Sequence, residues 1–212
     1  LNADPFRPAL DPGALLATES AQVPEQLTVR ADLTEAHNPL VWISENGEQV
    51  NLIGDALGLH LGGSLGLGRF RVAMSAPLLR LFESDAHEVP AVMAGDLALS
   101  GKVALLEGDG LRLAGIGGVT LPMGADTYQL GYDGVSGEVA LAAGGGTGVR
   151  WLTNIGYRIQ PDTVLENEDG ALTLSNPLLL RGGLAIPLSE QTALTGELLA
   201  SFAPTGLSVE TT

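Results

Sequence analysis

Residues 56–81 read ALGLHLGGSLGLGRFRVAMSAPLLRL, and two kinds of residue alternate along this stretch on either side of a turn at Gly68. From Leu57 to Leu67 every second residue is Leu or Gly, and from Phe70 to Leu78 every second residue is apolar. Most residues between them are small, polar or cationic. Because successive side chains of a β-strand point to opposite faces, a period of two predicts a β-hairpin with one apolar and one polar face.

The two arms of this hairpin are about ten residues long, whereas a strand in a globular protein usually has about 5–6 residues. Their length matches the roughly 9–11 residues with which a tilted strand crosses a bilayer. An apolar face toward lipid and a polar face toward water is the pattern of a transmembrane β-barrel. We therefore expect an all-β fold, an antiparallel up-and-down transmembrane barrel.

The composition excludes several classes of protein. The chain has 212 residues and no Cys, so disulfides, thiol chemistry and Cys-based zinc sites are absent. A net charge of −15 disfavours a nucleic-acid partner. The mean hydropathy is nevertheless +0.24, which indicates that the acids lie in connections while the strands are apolar on one face. No apolar run reaches the roughly 18 residues of a transmembrane helix.

The same alternation recurs along the chain and predicts nine strands. Residues 1–24 have four Pro and no clean period, so we expect an irregular periplasmic segment there, followed by a barrel over 25–212. Ile116 falls on the polar face of its strand, which suggests a bulge at that position. The predicted strands cover 26–33, 57–67, 69–78, 95–105, 111–121, 135–143, 149–159, 178–186 and 194–202.

The connections between these strands alternate in length. Long connections are expected at 34–49, 83–93, 123–133 and 160–175, and short turns near 67, 108, 145 and 190. An apolar island at 40–43 is expected to extend the strands above the membrane. Long outer loops and short periplasmic turns are typical of bacterial outer-membrane barrels.

The polar face is expected to line the lumen. It collects eight of the ten bases but only about four acids. If the bases pair with the acids, the network plugs the bore; if several face water, the pore prefers small anions. We expect a narrow, partly plugged pore with a weak anion preference. The predicted lumen-lining residues are Arg30, Asp32, His60, Arg69, Arg71, Asp96, Lys102, Arg112, Glu138, Arg150, Arg158, Arg181 and Glu197.

The histidines, acidic residues and glycine runs of the chain do not have the spacing of a metal, phosphate-binding or catalytic site. His37, His60 and His87 are widely separated, and the acids of the 160–175 connection lack the spacing of an EF-hand loop. The Gly runs lack the context of phosphate loops. Glu138 and Glu197 are better explained as partners of lumen arginines than as catalytic carboxylates. We therefore predict no catalytic residue, metal or cofactor, and no enzyme.

Seven segments follow one another along the chain: FRPALDPG (6–13), ESAQVPEQLTVRADL (19–33), HNPLVW (37–42), LGLHLGGSLGLGRFRVAMSAPLL (57–79), GDLALSGKVALL (95–106), GVTLPMG (118–124) and FAPTGLSVETT (202–212). Taken in this order, they resemble the N-terminal barrel module of large OmpA-like outer-membrane proteins. The resemblance implies about twelve strands, so the nine predicted here would be an incomplete barrel. It also implies the outer membrane of Gram-negative bacteria, contact with its lipid, and contact with envelope proteins or peptidoglycan through a C-terminal domain.

Three functions are compatible with these observations. The first is a passive pore or structural envelope protein of the outer membrane. The second is a secreted or surface-exposed β-sandwich that acts as a binding or lattice-forming module. The third is a barrel enzyme such as a lipase. The first two differ in whether the apolar face meets lipid or a second sheet.

Overall fold

The computed structural model describes residues 9–10, 14–15, 17–43, 49–81, 93–108, 110–123, 134–161, 163–167, 170–174, 176–189, 191–202 and 207–208. Within these residues the chain forms β-strands and no helix. The strands are β1 (Leu27–Ile43), β2 (Gln49–Leu67), β3 (Phe70–Leu81), β4 (Met93–Ala94), β5 (Leu97–Glu107), β6 (Arg112–Leu121), β7 (Ser136–Gly145), β8 (Arg150–Ile159), β9 (Thr163–Asn167), β10 (Gly170–Leu174), β11 (Leu178–Pro187), β12 (Ala193–Phe202) and β13 (Leu207–Ser208).

Nine of these strands form one curled, half-barrel sheet in the order β1-β2-β3-β5-β6-β7-β8-β11-β12, and β4 adds to the end of β3. Each strand is antiparallel to its neighbours, so the sheet is up-and-down, and this confirms the all-β class, the topology and the nine strands. In the described residues no pairing joins β1 to β12. A separate sheet of β13, β10 and β9 makes no contact with the nine strands there.

The hairpin of β1 and β2 extends much further than the sequence pattern predicted. Most of the expected 34–49 connection is strand, because β1 continues to Ile43 and β2 begins at Gln49. Pro39 has no N–H to donate to a ladder, and the pairing shifts register between His37 and Leu40 to accommodate it. Of the expected 160–175 loop, the hairpin β9–β10 forms a large part. The other expected long connections, 83–93 and 123–133, lie almost entirely outside the described residues.

Short turns join the strands at the four expected places. Gly68 and Arg69 connect β2 to β3, and a φ of 59° at Gly68 is a conformation that favours glycine. Because neighbouring strands are antiparallel, the turns after β2, β5, β7 and β11 lie at the same end of the sheet. We call this the short-turn end.

Each strand has the two faces that the alternation predicted. The outer face carries large apolar side chains, among them Leu61, Val72 and Leu141, and these are exposed. The inner wall carries the polar and charged side chains and is largely buried, because residues 9–10, 14–15 and 17–26 lie against it and form no strand. We call these residues the inner segment.

The predicted bulge at Ile116 was wrong. The pairing of β6 is uninterrupted, and the register shift lies in β5, between Ala104 and Leu106. Ile116 lies on the inner wall because it is part of a small apolar core. It packs against Ala21 of the inner segment together with Ala114 and Ala142 of the wall.

Candidate functional site

The first contacts of the inner segment bring three wall side chains onto two backbone carbonyls. Arg71, which is only 3 % exposed, donates from Nη2 to the carbonyl of Leu10 at 2.6 Å, and Ser64 Oγ donates to the same carbonyl at 2.9 Å. Arg71 also donates to Ser64. Arg30 donates to the carbonyl of Ala9 at 2.5 Å. These donors come from β1, β2 and β3, so one end of the segment is held across three adjacent strands.

The middle of the inner segment is held at Glu19. Asn154 of β8 accepts the Glu19 N–H at 2.8 Å and donates to the Glu19 carbonyl at 2.9 Å. Lys102 of β5 donates to the Glu19 carboxylate at 2.6 Å and to the carbonyl of Ser20 at 2.8 Å. The Lys102 side chain is 5 % exposed, and a charge-assisted bond in such a position is stronger than a neutral one. We call Lys102, Asn154 and Glu19 the central anchor.

A carboxylate of β12, the last strand of the nine-stranded sheet, holds the residues just before the central anchor. Glu197 of β12 accepts the N–H of Ala17 at 3.0 Å and the N–H of Thr18 at 2.8 Å. Thr18 is fully buried, so its N–H would otherwise lack a partner away from water. The segment is thereby attached to both edge strands of the nine-stranded sheet, β1 and β12.

Five wall charges form two groups of ion pairs. The Glu138 carboxylate pairs with two guanidinium groups: its Oε2 lies 2.8 Å from Arg158 Nη2, and its Oε1 lies 3.3 Å from Arg181 Nη2. Arg30 pairs with Asp32 at 2.8 Å. Each of these side chains is 25 % exposed or less, so the pairs are partly screened from water and are worth more than surface pairs.

The other predicted lumen residues lie on or beside the same wall. His60 is buried at a position paired with Asp32 and Pro77 of the flanking strands, and buried Asp96 accepts the Met123 N–H at 3.1 Å. Arg69, Arg112 and Arg150 lie at the short-turn end; Arg69 and Arg150 are exposed, and Arg112 is half-buried. Eight of the predicted residues thus form hydrogen bonds or ion pairs with the inner segment or with one another: Arg30, Asp32, Arg71, Lys102, Glu138, Arg158, Arg181 and Glu197.

The sequence interpretation missed Glu19, Ser64 and Asn154 as functional residues. The excess of bases over acids on the predicted polar face was a usable signal for Glu19, because buried bases require acidic partners from elsewhere in the chain. Asn154 and Ser64 were placed on the polar face but not among the site residues. Their hydrogen bonds go to an irregular segment whose path has no periodicity to indicate it.

A small cavity of about 100 Å³ remains between the inner segment and the wall. Its polar lining includes Glu19, Ser100, Thr120, Glu138, Asn154 and Arg181. A cavity of this size and polarity can hold several ordered waters. The site can therefore bind peptide backbone, carboxylates and water.

Metal-ligating residues do not cluster in the described part of the chain, where no three His, Asp or Glu side chains converge. The side chain of His37 and the whole of His87 lie outside what the structure describes, as do Asp162, Glu168 and Asp169. Among the described residues, no helix has the length and the apolar character needed to cross a membrane.

In comparisons with known proteins, no protein family and no curated protein matches the chain.

Proposed function

We propose that the chain forms part of an outer-membrane β-barrel, a structural envelope protein whose narrow lumen is filled by its own inner segment. The observation that carries this proposal is the outer face. Large apolar side chains there are exposed by 37 % to 80 %. Exposed apolar patches on soluble monomers rarely exceed about 300–600 Å², so a face of this kind requires a non-aqueous partner, and lipid is the partner that fits a curled sheet of long strands.

The distribution of charge supports the same proposal. The outer positions of β5, β6, β7, β8, β11 and β12 carry no charged residue. Placing one toward lipid would cost about 2–4 kcal/mol near the bilayer midplane. The inner wall, in contrast, carries the bases and their partners. Lipid outside and a wet, polar interior account for both faces at once.

A structural role fits the inner wall better than a wide pore does. The inner segment crosses the wall, and Arg30, Arg158 and Arg181 are engaged in ion pairs with acids. The bases at the short-turn end, Arg69, Arg112 and Arg150, would surround one mouth of the lumen. We therefore propose low conductance with a weak preference for anions, because a ring of bases favours them.

The β-sandwich alternative requires a second sheet on the outer face. In the described residues the separate sheet of β9, β10 and β13 makes no contact with the nine strands. A lipase-like activity has no observation in its favour. The membrane proposal thus rests on the exposed face, and the resemblance to OmpA-like barrel modules is consistent with it.

Extraction and site-directed labelling test the membrane placement. The chain should require detergent for extraction and show heat-modifiable gel mobility. Because the chain has no Cys, spin labels can be placed singly at Leu61, Val72 and Leu99, with Thr147 in the exposed β7–β8 turn as a control. The three outer labels should be shielded from aqueous quenchers and accessible to oxygen, and the control should show the reverse. Outer labels that are open to aqueous quenchers, or packed against protein, would refute lipid contact.

Planar bilayers test the lumen. We expect small conductance steps and a reversal potential shifted modestly toward anion selectivity in a salt gradient. Arg112→Glu and Arg150→Glu should each reduce or reverse that shift, since both lie at the proposed mouth. Clear cation selectivity that neither substitution alters would show that these arginines do not face the conducting path.

A further inference from the structure

The inner wall contacts the inner segment through backbone groups, which is how a protein binds a peptide. The wall receives the N–H groups of Ala17, Thr18 and Glu19, and it donates to the carbonyls of Ala9, Leu10, Glu19 and Ser20. The wall groups are side chains, not the edge of a strand. Among the described residues the segment makes a backbone bond to the sheet only near its end, where Gly66 donates to Gln26.

Asn154 supplies recognition that is independent of side chains. Its amide accepts the N–H and donates to the C=O of the same residue, Glu19, at 2.8 and 2.9 Å. An amide side chain has one acceptor and two donors, so it can satisfy both backbone groups of one residue. A residue of any type could be held in this way, provided its own side chain fits.

Side-chain selection occurs at four positions along the segment. Lys102 selects a carboxylate at position 19 through the 2.6 Å bond. Ala21 packs on Ala114 and Ala142, which are 0 % exposed, so only a small residue fits there. Inner-wall glycines make room for larger residues, because a Cβ at Gly62 would overlap Leu10 and a Cβ at Gly183 would overlap Leu15.

Apart from the bond from Gly66 to Gln26, the backbone ladder of the wall involves no group of the inner segment. The ladder runs from β1 to β12 through pairings between strands alone, and none of these pairings involves the inner segment. Emptying the wall would therefore leave the sheet intact and expose polar side chains to water, which can solvate them. A segment held in this manner behaves as a ligand attached by a linker.

We propose that the inner wall is a peptide-binding groove and that residues 17–21, Ala-Thr-Glu-Ser-Ala, are its resident ligand. The groove takes a peptide with small residues around one acidic residue, and the same sequence added in trans can occupy it when the resident segment is weakened. This inference concerns the wall alone and holds whether or not the outer face meets lipid.

The test uses the full chain with one buried reporter thiol. Ala142 is fully buried beneath Ala21 and pairs with Asn154 across the ladder, so Ala142→Cys should react with a water-soluble maleimide only when the segment leaves. Adding Glu19→Gln removes a charge-assisted bond worth about 1.5–3 kcal/mol. We expect the labelling rate to rise about tenfold or more. Thr147→Cys, in the exposed turn, should label at one rate in both backgrounds.

Competition by peptide then separates a groove from an ordinary structural contact. A tethered segment acts at an effective concentration in the mM range, so the peptide ATESAQV, residues 17–23, is added at several mM to the chain that carries Ala142→Cys and Glu19→Gln. This peptide should return labelling toward the slow rate, and the same peptide with Gln in place of Glu should not. In a Lys102→Gln chain, labelling should be fast and neither peptide should slow it.

Two results would overturn the proposal. One is a labelling rate that Glu19→Gln leaves unchanged, and the other is equal protection by the Glu and Gln peptides. If the Gln variant fails to fold, judged by gel mobility, Glu19→Asp replaces it. Asp keeps the charge on a shorter side chain, so labelling should be intermediate and the dependence on the Glu peptide should be the same. In that variant, labelling of Ala142→Cys that begins only when the whole chain unfolds would replace the first of these results and would refute a separable ligand.

Discussion

The outer face and the inner wall of the same nine strands have opposite relations to solvent. On the outer face Leu141 and Val72 are more than half exposed, whereas on the inner wall Arg71 and Lys102 are 3 % and 6 % exposed. A soluble β-protein buries apolar residues and exposes charges. Here the charges are covered by an irregular segment that pairs with them, and the apolar residues have no protein cover in the described part of the chain. Charged side chains in this chain are buried through polar contacts, and the apolar outer face is available to an external partner.

A charge on the outer face should have the largest effect. Leu141→Arg, near the middle of β7, should lower the free energy of unfolding by about 2–4 kcal/mol in lipid vesicles. Val149→Arg, in the turn just before β8, is the matched control and should cost only about 0–1 kcal/mol because it lies near the proposed interface. Denaturant unfolding of both variants measures the difference. Equal, small effects would indicate that the outer face meets water.

Removal of the shared carboxylate of the inner wall should have the next largest effect. Glu138→Gln leaves Arg158 and Arg181 without their acid, and the cost should be about 1–3 kcal/mol. The loss should be partly restored in the double variant with Arg158→Gln, since one unmatched charge is then removed. A double-mutant cycle by urea unfolding measures this coupling, which should reach about 0.5–3 kcal/mol. Simple additivity would contradict the pairing.

The bonds of Glu197 to the inner segment should have a smaller effect. Glu197→Ala should cost about 1–2 kcal/mol because the buried N–H groups of Ala17 and Thr18 lose their acceptor. Glu197→Gln keeps one oxygen and should cost less. Amide hydrogen exchange at Ala17 and Thr18 should accelerate in the same order. Thr195→Ala, on the same face of β12 but exposed, is the control and should leave that exchange unchanged.

The smallest expected effect compares one methyl group on each face. Ile116→Val removes a methyl group that packs on the inner core and should cost about 0.5–1.5 kcal/mol. Ile155→Val makes the same change on the outer face, where the side chain is 49 % exposed, and should stay within about 0.5 kcal/mol. Denaturant unfolding of the two variants under one set of conditions is sufficient. A larger cost at Ile155 would mean that protein packs on the outer face.

The strand pattern was predictable from the chain wherever the alternation was regular. Six of the nine strands begin and end within two residues of the predicted bounds, and the apolar and polar faces of each agree with the alternation. The first hairpin was underestimated because polar residues and Pro39 interrupt the period between 34 and 50, while ladder pairing with the opposite strand continues through a register shift. The β9–β10 hairpin was missed because its residues lack a sustained apolar face.

The site was predictable only in part. Arg71, Lys102, Glu138 and Glu197, which the alternation puts on the polar face, share one wall of the sheet. Most of their partners were not predictable, because pairing of side chains with the inner segment depends on the curl of the sheet and on the path of an irregular segment. Glu138 does pair with Arg158, which lies directly opposite in the ladder. Pairs of that kind follow from register and could be found once the strands were aligned.

The sequence by itself determined the strands, their two faces and the side on which charge accumulates, since the direction of a side chain along a strand follows from local backbone geometry. Only the tertiary structure decided that Glu19 meets Lys102, 83 residues away, and that Thr18 meets Glu197, 179 residues away. Such contacts depend on the curvature of the whole sheet and on where a segment without periodicity crosses it. A local pattern contains no information on either, so the occupation of the inner wall follows from the tertiary structure alone.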